Sequence, residues 1–234
     1  MKTVLMKFAG PLQSWGTSSH FEMRHTDLHP SKSAVIGVIA AALGYQRDEE
    51  NKIRDLNKLQ FAVRTDQAGN ITDDYQTAHK YKFNPYPLVE RTYVTHRYYL
   101  EDAVFVAAVG SENDQWLDEI VYALRHPYFQ LYMGRRSCPL PEDFILKVVD
   151  QDVITALQQE PLHSSEWYRK RHSGPVFIFA DAKLLPEKPS ALRRDTIASL
   201  SWEDRNYEWR QEAETHFNVS NCQEEHDAFG ALGD

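Results

Sequence analysis

The sequence predicts an α+β protein of the ferredoxin-like, RRM-like plan, with a β-hairpin insertion and a small C-terminal extension. Three observations predict it. Apolar segments follow the order strand, helix, strand, strand, helix, strand, which is the β-α-β-β-α-β plan. Residues 67–97 are polar and aromatic, are broken by Gly69, Pro85 and Pro87, and do not fit a compact core. The chain has 234 residues, 42% of them hydrophobic, enough for one large core and an appendage.

Lys2 to Phe8 is rich in Val, Leu and Phe and reads as the first strand, broken by Gly10-Pro11. Residues 10–16 are a loop. Pro30 precedes a helix over about 31–43 that Ser31 or Ser33 can cap. This helix is apolar nearly all round, so it is expected to be buried on more than one side, with Gly44 as its stop. A polar helix follows at about 48–58, then a strand at Phe61–Arg64. The 67–97 segment reads as an extended hairpin projecting from the body. Tyr98 to Val109 reads as a strand, and 113–126 as a helix capped near Asn113 or Asp114, with Trp116, Ile120 and Leu124 on one face. Phe129, Leu131 and Met133 alternate with polar neighbours, the pattern of a half-buried strand ended by Pro139 and Pro141. A further strand is expected near Val176–Phe179. The expected divisions are a core over 1–150, an extension over 151–202 packing on it, and an acidic aromatic tail over 203–234.

Several function classes are disfavoured by the sequence. The longest apolar run, Ala34 to Leu43, is about half of the roughly 20 residues a membrane span needs. Met1–Phe8 lacks the long apolar region and cleavage site of a signal peptide. Cys138 and Cys222 have no zinc-like spacing and read as reduced thiols, which together point to the cytoplasm. His20, His25 and His29 with Asp27 do not keep the spacing of a metal site on a helix. No G-x-S-x-G, H-E-x-x-H or Walker pattern appears, and no cofactor is expected.

The net charge of −8 argues at first against nucleic acid, but its distribution reverses that reading. Residues 203–234 hold nine acidic residues and two arginines, −7 of the total, which leaves the body near neutral. Within that body Lys80, Lys82, Arg91 and Arg97, with His79 and His96, interleave with seven aromatic residues between Tyr75 and Tyr99. Cations that grip phosphates beside rings that stack on bases suit single-stranded RNA. A solvated hairpin with packed tyrosines is the alternative. Gly134-Arg135-Arg136-Ser137 follows a strand-like segment. One arginine can grip a phosphate while the other braces the loop, and Ser137 adds a donor. An arginine pair bridging acidic residues of the fold is equally open. Gln13, Ser14 and Trp15 can bond and stack with nucleotides, or Trp15 can be a core lid. The charge run Arg169-Lys170-Arg171-His172 reads as a solvated face. No RNP1 signature is present, so RNA is not expected on the sheet face.

Five segments together resemble a known family. They are FAGPLQSWG at 8–16, Pro-Ser-Lys-Ser at 30–33 opening a helix that ends at Leu43-Gly44, FAVRTD at 61–66, YYLEDAVFVAAV at 98–109 and YMGRRSCPLP at 132–141. In order and spacing they resemble the Cas-five family of CRISPR Cascade subunits, of the type I-E kind, over about residues 1–141. The block Gly134–Leu140 is the most specific part.

The resemblance implies an RRM-like fold with the 67–97 hairpin as a thumb. It implies a non-catalytic subunit that grips the 5′ handle of the guide RNA (crRNA) and meets target DNA only indirectly. Its expected neighbours are backbone subunits of the CasC type and the large PAM-reading subunit of the CasA type. The handle-facing residues it implies are Gln13, Trp15, Ser31, Lys32 and Ser33, then Lys80, Lys82, Arg91 and Arg97, and finally Arg135, Arg136 and Ser137. The alternative is a metal-independent endoribonuclease, as in type I-C relatives. For that chemistry His79, Lys80, Tyr81 and His96 supply the residue types.

Overall fold

Runs of β-branched and aromatic residues, interrupted at Gly, Pro and Asn, set the elements of the computed structural model, which describes residues 1–17, 22–83, 86–201 and 203–218. The chain opens with β1 (Lys2–Ala9), two short strands β2 (Leu12–Gln13) and β3 (Met23–Arg24), helix α1 (Lys32–Ala42) and helix α2 (Glu50–Asp55). Next come β4 (Gln60–Gln67), the long pair β5 (Asn70–Phe83) and β6 (Pro87–Glu101), then β7 (Val104–Ser111) and α3 (Asp114–Arg125). The last elements are β8 (Ile145–Val149), α4 (Val153–Gln159), α5 (Glu166–Arg171), β9 (Val176–Asp181), β10 (Ser190–Leu200) and β11 (Arg205–Phe217). None of the described helices is long and apolar enough to cross a membrane.

Seven strands form one mixed-order sheet, β10-β11-β9-β4-β7-β1-β8, each antiparallel to its neighbour. Side chains alternate across a strand, so β1 sends Val4, Met6 and Phe8 to one face and Leu5 to the other. The first face packs on α1 and α3 through Ile36, Ile39, Leu117, Ile120 and Leu124. The second packs on α4 through Val153, Ala156 and Leu157, against the small side chains of Ala62, Ala108 and Ala180. Because both faces are covered, β7 reads as an almost unbroken apolar run, and β4 buries even Arg64 and Asp66, which pair with each other.

The helix boundaries have identifiable causes. The Ser31 side chain accepts from Ala34 N at 3.3 Å and caps α1, and Asn113 accepts from Trp116 N at 3.1 Å and caps α3. α1 buries residues on all sides, including Val35, Ile36, Val38 and Ile39. Gly44 ends it at φ 77°, where an added Cβ would lie 2.8 Å from the Tyr128 ring.

Three parts of the fold depart from the sequence reading. The alternation at Phe129, Leu131 and Met133 is not a strand. Only an isolated bridge, Tyr132 to Pro139, forms there, because Gly134 turns the chain at φ 78°. The strand after α3 is β8, further on. Tyr98–Val109 is two strands, broken at Asp102, whose φ of 54° swings β6 out of the main sheet. The expected acidic tail is over its first part β11, an internal strand between β10 and β9. With β9 and β10 it continues the same sheet, and α4 covers one face of that sheet. Trp202, Cys222, Phe229 and the rest of 219–234 lie outside the described residues, as do His20 and Pro85.

Charge pairing holds β11 in place. Arg210 grips Asp195 with two bonds of 2.8 and 2.9 Å and reaches Glu212 at 2.6 Å and Asp181 at 3.2 Å. Lys32 Nζ meets Asp181 at 2.9 Å and donates to Leu59 O at 2.8 Å. Arg193 joins Asp27 at 2.8 Å to Glu212 at 3.1 Å, beside His29, which stacks on Phe179. Each ion is taken out of water, so each is satisfied by several partners.

Candidate nucleic-acid interface

β5 and β6 pair over their whole lengths, forming a hairpin about 45 Å long at the usual rise per residue. Directly paired residues share a face. Tyr99 pairs with Thr72, Arg97 with Asp74, Tyr93 with Ala78 and Arg91 with Lys80. A bulge at Glu90 lies in β6, so β5 keeps its alternation and Lys82 stays on the Lys80 side. All four hairpin cations therefore lie on one face, with Tyr93 and Tyr99 among them. The opposite face carries Tyr75, His79, Tyr81, His96 and Tyr98. The expected interleaving of cations and rings along the chain is thus largely sorted in space.

At the hairpin base this basic face meets the loop at 134–137. Arg135 lies over the Tyr99 ring, 4.4 Å from its centroid, and its Nη2 donates to Arg24 O at 2.7 Å. Arg24 runs beside Arg97, to which β3 is paired in parallel. So Arg24, Arg97 and Arg135 converge. Arg97 Nε and Arg135 Nη1 are buried, and neither has a hydrogen-bond partner among the described residues. A buried cationic donor without a partner is costly unless something accepts from it. Arg136 and Ser137 stand next to this pair and are exposed. Of the two arginines, Arg135 braces the loop and Arg136 is free to reach outward.

Gly134 fits because nothing larger can. A Cβ there would lie 1.7 Å from Ser14 O, and φ is 78°. The 10–16 loop therefore shapes the interface from behind. Gln13 and Trp15 are 0% and 1% exposed. Trp15 Nε1 donates to Gln13 Oε1 at 3.0 Å, and Gln13 Nε2 donates to Ala103 O at 2.7 Å. They are a core pair, which corrects the expectation that they touch RNA.

The start of α1 is corrected for a different reason. A helix N-terminus can hold a phosphate, but here Asp195 occupies it, accepting from Lys32 N at 2.8 Å. Ser31 is spent on its cap, and Ser33 shares a 3.2 Å hydroxyl contact with it. Lys32 is buried, and that burial lowers its pKa against the pull of Asp181. Ser31 and Lys32 therefore organise the core, and Ser33 is half-buried beside them.

The hairpin cations remain available. Lys82 and Arg91 are exposed, Arg91 lies over Tyr93, and Lys80 pairs with Glu90 at 3.0 Å in the open. Such an exposed pair holds Lys80 weakly. Sequence reading did not single out Arg24, whose two-residue strand is too short to carry a periodic signal. His25 stacks on Tyr98, and His29 belongs to the ion network. Cys138, under the loop, is a free buried thiol whose pKa is raised by burial.

A basic hairpin face running into a glycine-arginine loop, mounted on a sheet covered by helices on both faces, defines the class of protein. The family model described as CRISPR-associated protein (Cas_Cas5) matches residues 3–214. The chain belongs to this Cas5 family. Over 157 residues it is 32% identical to the CRISPR system Cascade subunit CasD of Escherichia coli (strain K12), covering 61% of this chain and 69% of that one. A chain from a solved CRISPR RNA-guided surveillance complex superposes with a TM-score of 0.76 at 29% identity, covering 93% of this chain and 90% of that chain. A second solved structure, titled a crystal structure of Cas protein, gives 0.64 at 29% identity and covers 92% and 95%.

Proposed function

We propose that this chain is the guide-RNA-binding subunit of a Cascade-type surveillance complex, holding the 5′ handle of the crRNA and capping the backbone beside the large subunit. The observation that carries the reading is the convergence of Arg97 and Arg135, each with an unpartnered buried nitrogen, beside the exposed Arg136 and Ser137. Phosphate oxygens are the acceptors these donors lack. Lys80, Lys82 and Arg91 extend the same face outward along the hairpin. CasC-type backbone subunits, a CasA-type large subunit and, through them, target DNA are the partners that fit this role.

The role is binding rather than cleavage. Metal-free RNA cleavage needs a base, an acid and a cation at one phosphate. His79 and Tyr81 share a hairpin face, but Lys80 points from the other and is paired with Glu90. His96 lies on the His79 face but four residues along the ladder, about 13 Å away, bonded to Asp73. His79 itself bonds Thr92 at 2.9 Å.

The test is co-expression with the remaining complex subunits and a CRISPR array. Wild type is expected to yield complexes with stoichiometric guide. Arg97→Ala with Arg136→Ala is expected to yield a folded chain and complexes depleted of guide. Repeat RNA incubated with the chain alone is expected to stay intact. Full guide loading by the double variant, or a discrete cut abolished by His79→Ala, would overturn the reading.

A further inference from the structure

The charge run at 169–172 is not a plain solvated face. It forms the last turn of α5 and its C-cap, and the structure fixes the start of that helix against the hairpin base. Tyr168 Oη accepts from Ala68 N at 3.2 Å, and Ser165 N and Oγ both donate to Gln67 Oε1, at 3.1 and 2.8 Å. Gln67 Nε2 in turn donates to Asp102 O, the residue at which β6 leaves the sheet. So α5 is tied to the joint from which the hairpin projects.

Two features of this element lack a structural use. Trp167 is 53% exposed at the rim of a pocket of about 370 Å³ lined by Gln67, Asp102, His163 and Ser165. Arg169, Lys170 and Arg171 are exposed, and none of them pairs with a carboxylate among the described residues; Arg171 only overhangs the Trp167 ring at 5.8 Å. Elsewhere exposed lysines do find acids, as Lys80 finds Glu90 and Lys147 finds Glu160.

Gly10 lines this pocket and also abuts Met133, the residue before the glycine-arginine loop. Both sites therefore lie at the end of the sheet where β1 and β4 finish and β7 and β9 begin.

We infer that Trp167 and its pocket, with the Arg169–Arg171 turn, form a second contact for single-stranded nucleic acid, one that takes an unstacked base and its flanking phosphates. The ring supplies a stacking platform and the three cations meet the backbone. The Asp102 carboxylate and the Ser165 hydroxyl suit the amino and imino edge of a base, while the Asp102 charge keeps phosphate on the outer, basic side. The site goes beyond the handle-binding reading, because it shares no residue with the handle-facing set. The strand it takes is either guide RNA continuing from the handle or a DNA strand displaced when the target opens.

The experiment uses the assembled complex, with Trp167→Ala, Trp167→Phe and the triple change Arg169→Ala, Lys170→Ala, Arg171→Ala. Three quantities are read: guide retained per complex, affinity for duplex target, and affinity for the single target strand. If guide RNA occupies the site, Trp167→Ala and the triple variant lose guide and Trp167→Phe retains it. If displaced DNA occupies it, guide and single-strand binding stay normal, and duplex binding weakens on the order of tenfold. In that case the triple variant also lowers the salt slope by roughly 0.7 for each phosphate no longer neutralised. Either pattern supports the site. Unchanged values in all three assays overturn it. Loss of another subunit from the complex, with guide and DNA binding per remaining complex intact, also overturns it and makes the turn a protein contact. Handle binding by the Arg97 and Arg136 set is scored separately, so failure of one site leaves the other tested.

Discussion

β4 connects two groups of charged residues that face opposite problems. At its start, around Phe61, lie Lys32, Arg193 and Arg210, buried among Asp27, Asp181, Asp195 and Glu212. Beyond its end, at the hairpin base and the glycine loop, lie Arg97, Arg135, Arg136 and the hairpin lysines, with few acids to meet them. The residue types are the same. What differs is whether the fold itself supplies the counter-charge. Where it does, the cation locks strands together. Where it does not, buried donors at Arg97 and Arg135 are left without an acceptor among the described residues, which is the gap the proposed RNA contact would fill.

The comparison breaks most visibly at Arg210. Arg210→Leu removes from a buried cluster the cation that Asp181, Asp195 and Glu212 share, leaving Lys32 and Arg193 as their remaining cationic partners, and chemical denaturation is expected to show a loss of about 3–5 kcal/mol, or no soluble protein at all. A loss under about 1 kcal/mol would mean the network does not hold β11.

A change of pH sharpens the same side. Burial opposes charge on Glu212, but the His29 hydrogen bond and the Arg193 and Arg210 guanidiniums outweigh it and take its pKa from 4.5 down to about 2. A depressed carboxyl stabilises the fold above its unfolded pKa and stops doing so as pH falls through its folded one. Stability is therefore expected to drop between pH 4.5 and 2 by on the order of 3 kcal/mol, and Glu212→Gln to flatten that part of the profile.

On the other side, Arg136→Ala is expected to leave thermal unfolding unchanged and to weaken handle RNA about tenfold or more, by on the order of 1.5–3 kcal/mol. Arg135→Lys loses the planar stack on Tyr99 and is expected to disturb both the loop and binding. Equal effects of the two on stability would contradict the division into brace and grip.

The smallest effect belongs to the hairpin tip. Lys80→Ala with Lys82→Ala is expected to shift stability by less than about 0.5 kcal/mol. Its signature is a flatter salt dependence of RNA binding, by roughly 0.7 for each phosphate that a removed lysine had neutralised.

The sequence carried the first half of the fold well, because burial there is apolar and periodic. Ser31 and Asn113 as caps, Gly44 as a stop and the projecting hairpin all follow from local chemistry. β11 was illegible for the opposite reason. Its most buried positions include Arg210 and Ala213, while Trp209 is 64% exposed, so its hydrophobic pattern points outward. Only partners on other strands make Arg210 an interior residue, and no local window contains them. At the site the residue types were legible and their directions were not. Lys32 and Arg136 look alike in sequence. One is buried because Asp181 and Asp195 arrive from about 150 residues away, a long-range fact. The face-sorting of the hairpin cations depended on a bulge at Glu90 that no turn residue announces.

The order of the sheet also has a consequence for synthesis. β4 gains its neighbour β9 only after more than a hundred further residues, on the order of ten seconds at translation rates of roughly 5–20 residues per second, and β9 is flanked on both sides only once β11 has emerged. The glycine-arginine loop is thus made well before β9, β10 and β11 complete the sheet. A product truncated before residue 205 would already contain the hairpin and Arg136, yet would lack Arg210 and leave Asp181 and Asp195 with only Lys32 and Arg193 as cationic partners. Such a fragment is expected to melt below the full chain, so completion of the sheet depends on the last strand the structure describes.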